Sequence, residues 1–487
     1  MYHIQIVFHL SIGEKLLYYC KAVISNRTLF LIITLLSFAV AGFLLFGKID
    51  PDSFAYLYIG RGVVGGQDMF VDFADNKGPV LYAFFALLYF VFGNNFNLAI
   101  LFGNAILDAF AIYFLFRLLS IYGFKINKLK ISNLALILFF VLLYKSFSIS
   151  YFLGGLYSEQ LGMMFLVLSL WKYEKKNYFI SGLLFGLSIL TRVSFLLFII
   201  IFPAISLIRK YKISSIASFG LGLSICIAST VIYFALSGSL NDFIYNNIFI
   251  NLQYSSATTD IRWLRLAFMS FIETRIIFVF LYVTILIVIG LFLSKGKDKS
   301  QLLLITIIYI ASVASTFPGG IFYAHHFIQF MLITFIVFSF FAKKVFWGLP
   351  IVLLFWFVIA NYLVYLAMPK QTFSKSISEV ERAEYIMVVP FYPQFNFVYN
   401  KKSPDRYFHG FYLFDVFNKN SIKDIERHKL ISKDKLKKTV FMMVEFNSED
   451  KLLNAEYLRK FGKAFKLTKQ KVYDYENGKI EIYSSDL

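Results

Sequence analysis

The sequence repeatedly contains strongly apolar stretches that approach 20 residues, and short polar breaks separate them. A helix of about 20 apolar residues spans the roughly 30 Å hydrocarbon core of a bilayer. The composition agrees, because 59% of the 487 residues are hydrophobic, only 16% are charged, and the mean hydropathy is +0.68. Such a chain has too few polar groups to cover its own surface in water. We therefore predict an all-α polytopic membrane protein.

The apolar stretches predict about eleven membrane-spanning helices. They comprise residues 29–46, 96–120, 131–149, 152–171, 178–190, 194–208, 213–236, 275–293, 302–316, 322–341 and 346–368. The apolar run that begins at Pro79 and ends at Phe92 is short for a span and predicts an interfacial or re-entrant helix in the first loop. Because Lys15, Lys21 and Arg27 precede the first stretch and no small-residue cleavage site follows it, we expect that stretch to be retained.

Clusters of Lys and Arg between these stretches predict the orientation. Positive charge accumulates in the cytoplasmic loops of membrane proteins. Every second loop is basic here, whereas the loops near Tyr151, at 241–260 and near Pro318 carry almost no Lys or Arg. The basic clusters are Lys125/Lys128/Lys130, Lys172/Lys175/Lys176, Arg209/Lys210/Lys212, Lys295/Lys297/Lys299 and Lys343/Lys344. We predict a plasma or inner membrane location, a cytoplasmic N-terminus and an extracytoplasmic C-terminal segment.

The C-terminal segment differs from the rest in composition and is rich in Lys, Asp and Glu. Alternating residues at 438–445 and 479–483 predict strands, and the patterns at 377–386 and 455–465 predict helices. The sequence thus predicts two domains, a transmembrane domain at 1–368 and a small soluble α+β domain at 369–487.

Two function classes are disfavoured by the composition. The net charge of +19 does not predict nucleic-acid binding, because the basic residues form short clusters without a recognisable nucleic-acid-binding pattern. Cys20 and Cys226 provide neither a disulfide framework nor a paired-cysteine metal site. The 60 Phe and 32 Tyr suit lipid-facing and interfacial positions, so they do not by themselves predict sugar binding.

The segment between the first two spans contains the residues best suited to chemistry. Asp50 and Asp52 follow the first span, and Tyr56 lies four residues after Asp52. A glycine-rich stretch and an acidic loop come next, and a Lys-Gly-Pro sequence that begins at Lys77 opens the following apolar helix. The residues around Asp52 also suit a helix start, so a capping role for its carboxylate is an alternative.

This order of features resembles the GT-C superfamily of membrane glycosyltransferases. The similarity is to the bacterial branch related to protein O-mannosyltransferases and the aminoarabinose transferase of lipid A. It covers residues 29–210 by motif and the remainder by topology alone. The resemblance implies transfer of a sugar from a polyprenyl-phosphate donor to an acceptor hydroxyl at the outer membrane face, with inversion. The acceptor is a lipid, a glycan or a protein, and membrane lipids surround the enzyme.

The resemblance also implies roles for individual residues. Asp52 stands at the position of the catalytic acid and would act as general base toward the acceptor hydroxyl. Lys77 and Arg192 match cations that meet the donor phosphate. Glu159 stands where the family usually has a second aspartate, and Tyr56 is expected to contact substrate.

Other expectations complete the predicted site. His325 and His326, at the outer end of a late span, would donate hydrogen bonds to the sugar or the phosphate. No obligatory metal cofactor is expected, although Asp50 and Asp52 together form a pair of oxygen ligands that suits a divalent cation. We expect the acids of the first loop, Asp68, Asp72 and Asp75, to be solvated.

Each assignment has a structural alternative. Lys77 suits contact with lipid headgroups, and Glu159 with Arg192 suits a purely structural ion pair. For the whole chain, the alternative functions are a transporter or flippase of a lipid-linked saccharide and a polysaccharide polymerase or ligase.

Overall fold

A computed structural model describes most of the chain. The described residues are 25–45, 51–73, 75–121, 131–152, 156–252, 272, 275–293, 297–316, 327–341, 348–367, 377–389, 394–404, 431–445, 448–463, 465–475 and 478–486. Within them, helices dominate up to Ala367, and a small sheet follows.

The helices before the sheet follow one another with short connections. They are α1 Asn26–Leu45, α2 Pro51–Val64, α3 Pro79–Phe92, α4 Phe96–Ile121, α5 Ile131–Phe152, α6 Ser158–Glu174, α7 Tyr178–Thr191, the 3-10 helix Val193–Ile200 continued by α8 Ile201–Arg209, α9 Ile213–Leu236, α10 Leu240–Ile244 continued by the π-helix Tyr245–Phe249, α11 Ile276–Leu293, α12 Lys297–Thr316, α13 Gln329–Phe341 and α14 Gly348–Ala367.

Apolar helices suited to a membrane are present, as predicted. Four helical stretches in the described part of the chain are long and apolar enough to cross a bilayer: Asn26–Leu44, Phe96–Ile121, Ile213–Leu236 and Lys299–Thr316. Seven further apolar helices are shorter, and Pro79–Phe92 is among them. The chain is therefore compatible with a membrane protein, whereas the number of eleven spans stays a prediction.

Most predicted helix boundaries agree with the structure to within a few residues, and one does not. The helix predicted to start at 152 begins at Ser158, because α5 continues to Phe152. The short helix α3 has the predicted bounds. Proline occupies its first turn, and Gly93 ends it with a positive φ of 56°, which glycine adopts without strain.

Helices α7 and α9 pack closely because glycines line their contact. A Cβ added to Gly222 would lie 2.1 Å from the carbonyl oxygen of Phe179, and one added to Gly182 would lie 2.0 Å from that of Phe219. Small residues let helix backbones approach in lipid, where apolar side chains provide no driving force between helices. The contact fixes α7, which ends one residue before Arg192.

We expect Gly222→Leu to separate α7 from α9 and to lower the thermal unfolding midpoint in detergent by several degrees. The physical reason is that the new side chain would collide with backbone, which no rotamer relieves. Gly220→Leu is the matched control two residues away, because a Cβ at Gly220 meets no atom within 4 Å. Equal midpoints for the two variants, measured by intrinsic fluorescence, would contradict the close contact.

The segment after α14 forms a four-stranded sheet with helices around it. Its elements are α15 Ser378–Arg382, β1 Tyr385–Val389, α16 Gln394–Val398, α17 Lys433–Lys437, β2 Thr439–Glu445, α18 Ser448–Tyr457 continued by the π-helix Leu458–Gly462, β3 Leu467–Tyr475 and β4 Gly478–Ser485. The strand order is β1-β2-β4-β3, with β1 parallel to β2 and the other pairs antiparallel.

Both faces of this sheet are covered. Successive side chains of a strand point to opposite faces. Phe441 and Met443 of β2 belong to one buried cluster, whereas Met442 and Val444 belong to a second one. The described residues 377–486 therefore contain an α+β unit with its own cores, although its extracytoplasmic position stays a prediction.

Two of the four predictions for this segment were wrong. The helix predicted at 377–386 ends at Arg382 and gives way to β1, because the continuous apolar run Tyr385–Val389 pairs with β2. The helix predicted at 455–465 is α18, which begins seven residues earlier, at Ser448. The strands predicted at 438–445 and 479–483 are β2 and β4.

Candidate active site

The carboxylate of Asp52 lies in the first turn of α2. Because α2 already includes Pro51, Asp52 is inside the helix and does not occupy the capping position before it. The next residue, Ser53, is buried and its Oγ accepts a hydrogen bond of 2.8 Å from the backbone N–H of Leu156. This bond joins the start of α2 to the start of α6, the helix that carries Glu159.

Lys77 is brought to the same place by its neighbour. The backbone N–H of Gly78 donates to the carbonyl oxygen of Thr191 at 3.0 Å. Thr191 is the last residue of α7, so the segment of Lys77 lies against the residue that precedes Arg192. Arg192 itself has an extended backbone, with φ −158° and ψ 125°, and breaks the chain between α7 and the following 3-10 helix.

Arg192 and Glu159 form an ion pair. Nη1 of Arg192 binds Oε1 of Glu159 and lies 3.4 Å from Oγ of Ser158, which donates to the other Glu159 oxygen at 2.8 Å. Glu159 is buried, with 1% of its side chain exposed, whereas Arg192 retains 11%. Pairing of these two residues was predicted, and it satisfies a carboxylate that would otherwise be costly at this depth.

Tyr56 lies one turn after Asp52 and is buried. Its ring packs edge-on against Phe85 of α3, with centroids 5.3 Å apart. Burial, and then the nearby charges of Asp52, Asp75 and Glu159, raise the pKa of Tyr56 well above its usual value. Tyr56 is therefore a neutral hydroxyl beside the predicted acids and provides a hydrogen-bonding group without charge.

The charges around Asp52 alter its chemistry. The surrounding protein removes water from the partly accessible carboxylate and raises its pKa to about 6, while Lys77 and Arg192 act in the opposite direction. Burial also lowers the pKa of Lys77, although the nearby acids offset part of this effect. A carboxylate with a pKa near neutrality is a better proton acceptor than an ordinary aspartate.

The prediction that Asp75 is a solvated loop acid was wrong. Its side chain is buried, and its charge acts on both Asp52 and Lys77. The loop is held inward at the next residue, where Asn76 Nδ2 lies 3.3 Å from Asn251 Oδ1 and Asn251 Nδ2 donates to the Asn76 carbonyl at 2.9 Å. Asn76 Oδ1 in turn accepts from Lys77 Nζ at 2.7 Å.

The other two loop acids differ from Asp75. Asp72 is exposed, as predicted, whereas Asp68 is half-buried and its Oδ1 accepts from the backbone N–H groups of Phe70 and Val71 at 2.9 and 3.1 Å. These bonds shape the turn at the start of the acidic loop. Asp68 and Asp72 therefore belong to the loop's own structure, and only Asp75 joins the cluster of acids around Asp52.

Three of the predicted residues lie outside the described ranges, namely Asp50, His325 and His326. Their roles stay predictions. Among the described residues, no group of three or more His, Cys, Asp or Glu side chains is arranged to hold a metal ion. A metal site that uses Asp50 with Asp52 also stays a prediction.

The other end of α2 contacts the C-terminal segment through Arg61. Its guanidinium donates to Asn400 Oδ1 at 2.8 Å and lies 3.2–3.4 Å from three backbone carbonyl oxygens of residues 396–401. Nearby, the hydroxyl of Tyr58 accepts from the backbone N–H of Ser403 at 2.8 Å. One helix therefore carries Asp52 at its start and the contact with the C-terminal segment at its end.

Sequence analysis missed a second group of polar residues. Asn104 and Asp108 of α4, Lys145 of α5 and Gln160 of α6 are all buried and bonded to one another. The available signal was a charged residue inside an apolar stretch, which indicates a functional or paired group. Asp108 and Lys145 both satisfy this criterion in the sequence.

Comparisons with known proteins do not name this site. No model of a protein family matches the chain, and no curated protein matches it either. The resemblance to GT-C glycosyltransferases therefore depends on the residues quoted above and on their arrangement.

Proposed function

We propose that the protein is an integral-membrane glycosyltransferase that uses a polyprenyl-phosphate sugar. The observation that carries the proposal is the convergence of four segments distant in sequence. They bring Asp52, Lys77, Glu159 and Arg192 within electrostatic range of one another. A cluster of one basic carboxylate with two cations matches the needs of attack by a hydroxyl and departure of a phosphate.

The proposed reaction uses Asp52 as general base. Asp52 takes the proton of the acceptor hydroxyl while its oxygen forms a bond to the anomeric carbon. The bond between that carbon and the phosphate oxygen breaks, and polyprenyl phosphate leaves with the electron pair. Lys77 and Arg192 would stabilise the charge that develops on the phosphate. Glu159 holds Arg192 in position, and Tyr56 provides a neutral hydroxyl for the substrate.

The location that fits this chemistry is the outer face of the plasma or inner membrane. The proposal includes about eleven spans, a cytoplasmic N-terminus and an extracytoplasmic C-terminal domain at 369–487. The contact of Arg61 with residues 396–401 supports a role for that domain in holding α2. The proposed partners are the lipid-linked sugar, membrane lipids and an acceptor lipid, glycan or protein.

The test is sugar transfer in detergent. Purified protein is incubated with undecaprenyl-phosphate-linked radiolabelled hexoses and pentoses and with lipid and cell-wall extracts from the source cells. We expect one sugar to be transferred and free undecaprenyl phosphate to be released. A transporter or flippase requires a sealed membrane with two sides, so lipid movement in vesicles without transfer in detergent would overturn the proposal. Mass spectrometry of surface glycans from cells that lack the protein then identifies the sugar.

The pH dependence of the rate provides a further prediction. The base must be deprotonated, and the pKa of Asp52 is raised to about 6. We expect kcat/KM to rise about tenfold per pH unit below pH 6 and to level off above it. Rates measured between pH 4.5 and 8 test this expectation. A midpoint near 4, the value of an ordinary aspartate at about 3.9, would contradict the role of burial.

A further inference from the structure

A network of buried polar side chains lies beside the candidate site on three helices. Lys145 Nζ lies 3.1 Å from Asp108 Oδ2 and donates to Asn104 Oδ1 at 2.7 Å. Gln160 Nε2 lies 3.2 Å from the same Asn104 oxygen and 3.4 Å from Asp108 Oδ1. The Lys145 and Asp108 side chains are only 1% and 3% exposed. These four residues form the buried network.

Stability alone does not account for the buried network. A charged residue in the middle of an apolar span costs about 2.5–3.5 kcal/mol on insertion scales. Hydrogen bonds between helices in a membrane contribute only about 0.6 kcal/mol each on average. An apolar pair of similar volume is therefore expected to be as stable as Asp108 with Lys145, or more so. The network must do something that an apolar pair does not do.

Gln160 connects the network to the start of α6. It is the third residue of that helix, and its Oε1 accepts a hydrogen bond of 2.8 Å from the backbone N–H of Tyr157, the residue before the helix. A glutamine at this position commonly reaches back in this way. The amide thus uses its oxygen to cap α6 and its nitrogen to bind α4. The first turn of α6 is held at a defined depth and rotation.

The same turn carries the residues that meet the site. Glu159 precedes Gln160 and binds Arg192. The backbone of Leu156 is bonded to Ser53, the neighbour of Asp52. The first turn of α6 therefore lies between the buried network and the proposed catalytic groups, and a shift of this turn would move Glu159 and Arg192 together.

We infer that Asn104, Asp108, Lys145 and Gln160 are positioning residues that fix the first turn of α6 so that Glu159 orients Arg192 toward the donor phosphate. This inference rests on the proposed function for the substrate that Arg192 meets. The geometry of the turn does not depend on that function. Displacement of a catalytic group by about 1 Å costs on the order of 100-fold in rate.

The variants are chosen to separate positioning from folding. Removal of one charge leaves the other buried and uncompensated, so Asp108→Leu and Lys145→Met are combined in a double variant. Gln160→Met keeps the length of the side chain and removes both hydrogen-bonding ends. Ser169→Ala is the control on the same helix, because Ser169 Oγ donates to the Ser181 carbonyl of α7 at 2.8 Å and is not part of the network.

Two measurements are made on the full chain in detergent. In hydrogen exchange, we expect peptides that cover 156–162 to exchange at least tenfold faster in the double variant and in Gln160→Met, with no fall in the unfolding midpoint. In the transfer assay, we expect kcat to fall at least tenfold, with a smaller change in KM. Ser169→Ala should alter neither measurement.

The outcomes are distinguishable. Unchanged exchange at 156–162, or equal acceleration by Ser169→Ala, overturns the inference. A double variant that loses stability as strongly as a single charge deletion also overturns it, since the network would then be structural. If the wild-type protein transfers no sugar, the proposed function fails, whereas exchange still decides whether the network fixes the turn.

Discussion

Asp52→Asn is expected to lower the rate of sugar transfer by about 1,000-fold while the protein remains folded. Asparagine has the shape of aspartate but does not accept the hydroxyl proton, and loss of a general base typically costs about 100- to 10,000-fold. Asp52 lies in the first turn of α2 and keeps part of its side chain accessible, so the substitution creates no cavity. Because Lys77 and Arg192 are unchanged, binding of undecaprenyl phosphate should persist.

The measurement is transfer in detergent together with undecaprenyl phosphate binding by thermophoresis. Asp72→Asn is the matched control, because Asp72 is an exposed acid of the same loop. We expect wild-type rates for it. The enzyme hypothesis is lost if Asp52→Asn transfers sugar normally while Arg192→Ala stops lipid movement across sealed vesicles. That pair of results would support the transporter.

The helical part of the fold was predictable because one physical signal dominates it. Apolar residues must be shielded from water over the full thickness of a bilayer, so the ends of such helices coincide with changes in composition. The bounds of α3 and α9 follow from this signal. The start of α6 does not, because polar residues from Ser158 to Gln160 are enclosed by neighbouring helices and not by solvent.

The sheet was harder to predict for a related reason. A strand that is buried on both faces loses the alternation of polar and apolar residues and becomes a continuous apolar run. Strand β1 is such a run, and its burial depends on cores that only the folded chain brings together. A local pattern does not distinguish that run from the end of a helix.

The candidate site was predicted in its residue types but only partly in its arrangement. Position in the chain and resemblance were enough to select Asp52, Lys77, Glu159 and Arg192. The burial of Asp75 was missed, because it depends on Asn251, a residue far along the chain that holds the loop inward at its neighbour. Long-range hydrogen bonds of this kind leave no periodic trace in a sequence.

The close contact at Gly78 provides the second prediction of large effect. A Cβ at this position would lie 1.8 Å from the carbonyl oxygen of Leu190 and 2.5 Å from its carbonyl carbon. Gly78 has φ −83° and ψ 161°, which any residue adopts, so the restriction is one of space alone. Gly78→Ala must move the two backbones apart by roughly 1 Å, because Cβ atoms essentially never approach closer than 3.0 Å.

Such a movement would separate the segment of Lys77 from that of Arg192, since the Gly78 N–H to Thr191 bond is what joins them. We expect kcat/KM to fall about 100-fold, because a displacement of about 1 Å is enough for that loss. The unfolding midpoint should also fall, since overpacking costs about 1–3 kcal/mol. Gly42→Ala is the control, with its nearest neighbour 3.9 Å away, at Leu101 Cδ1. Wild-type transfer by Gly78→Ala would show that Lys77 and Arg192 need no common anchor, and the shared phosphate site would then be abandoned.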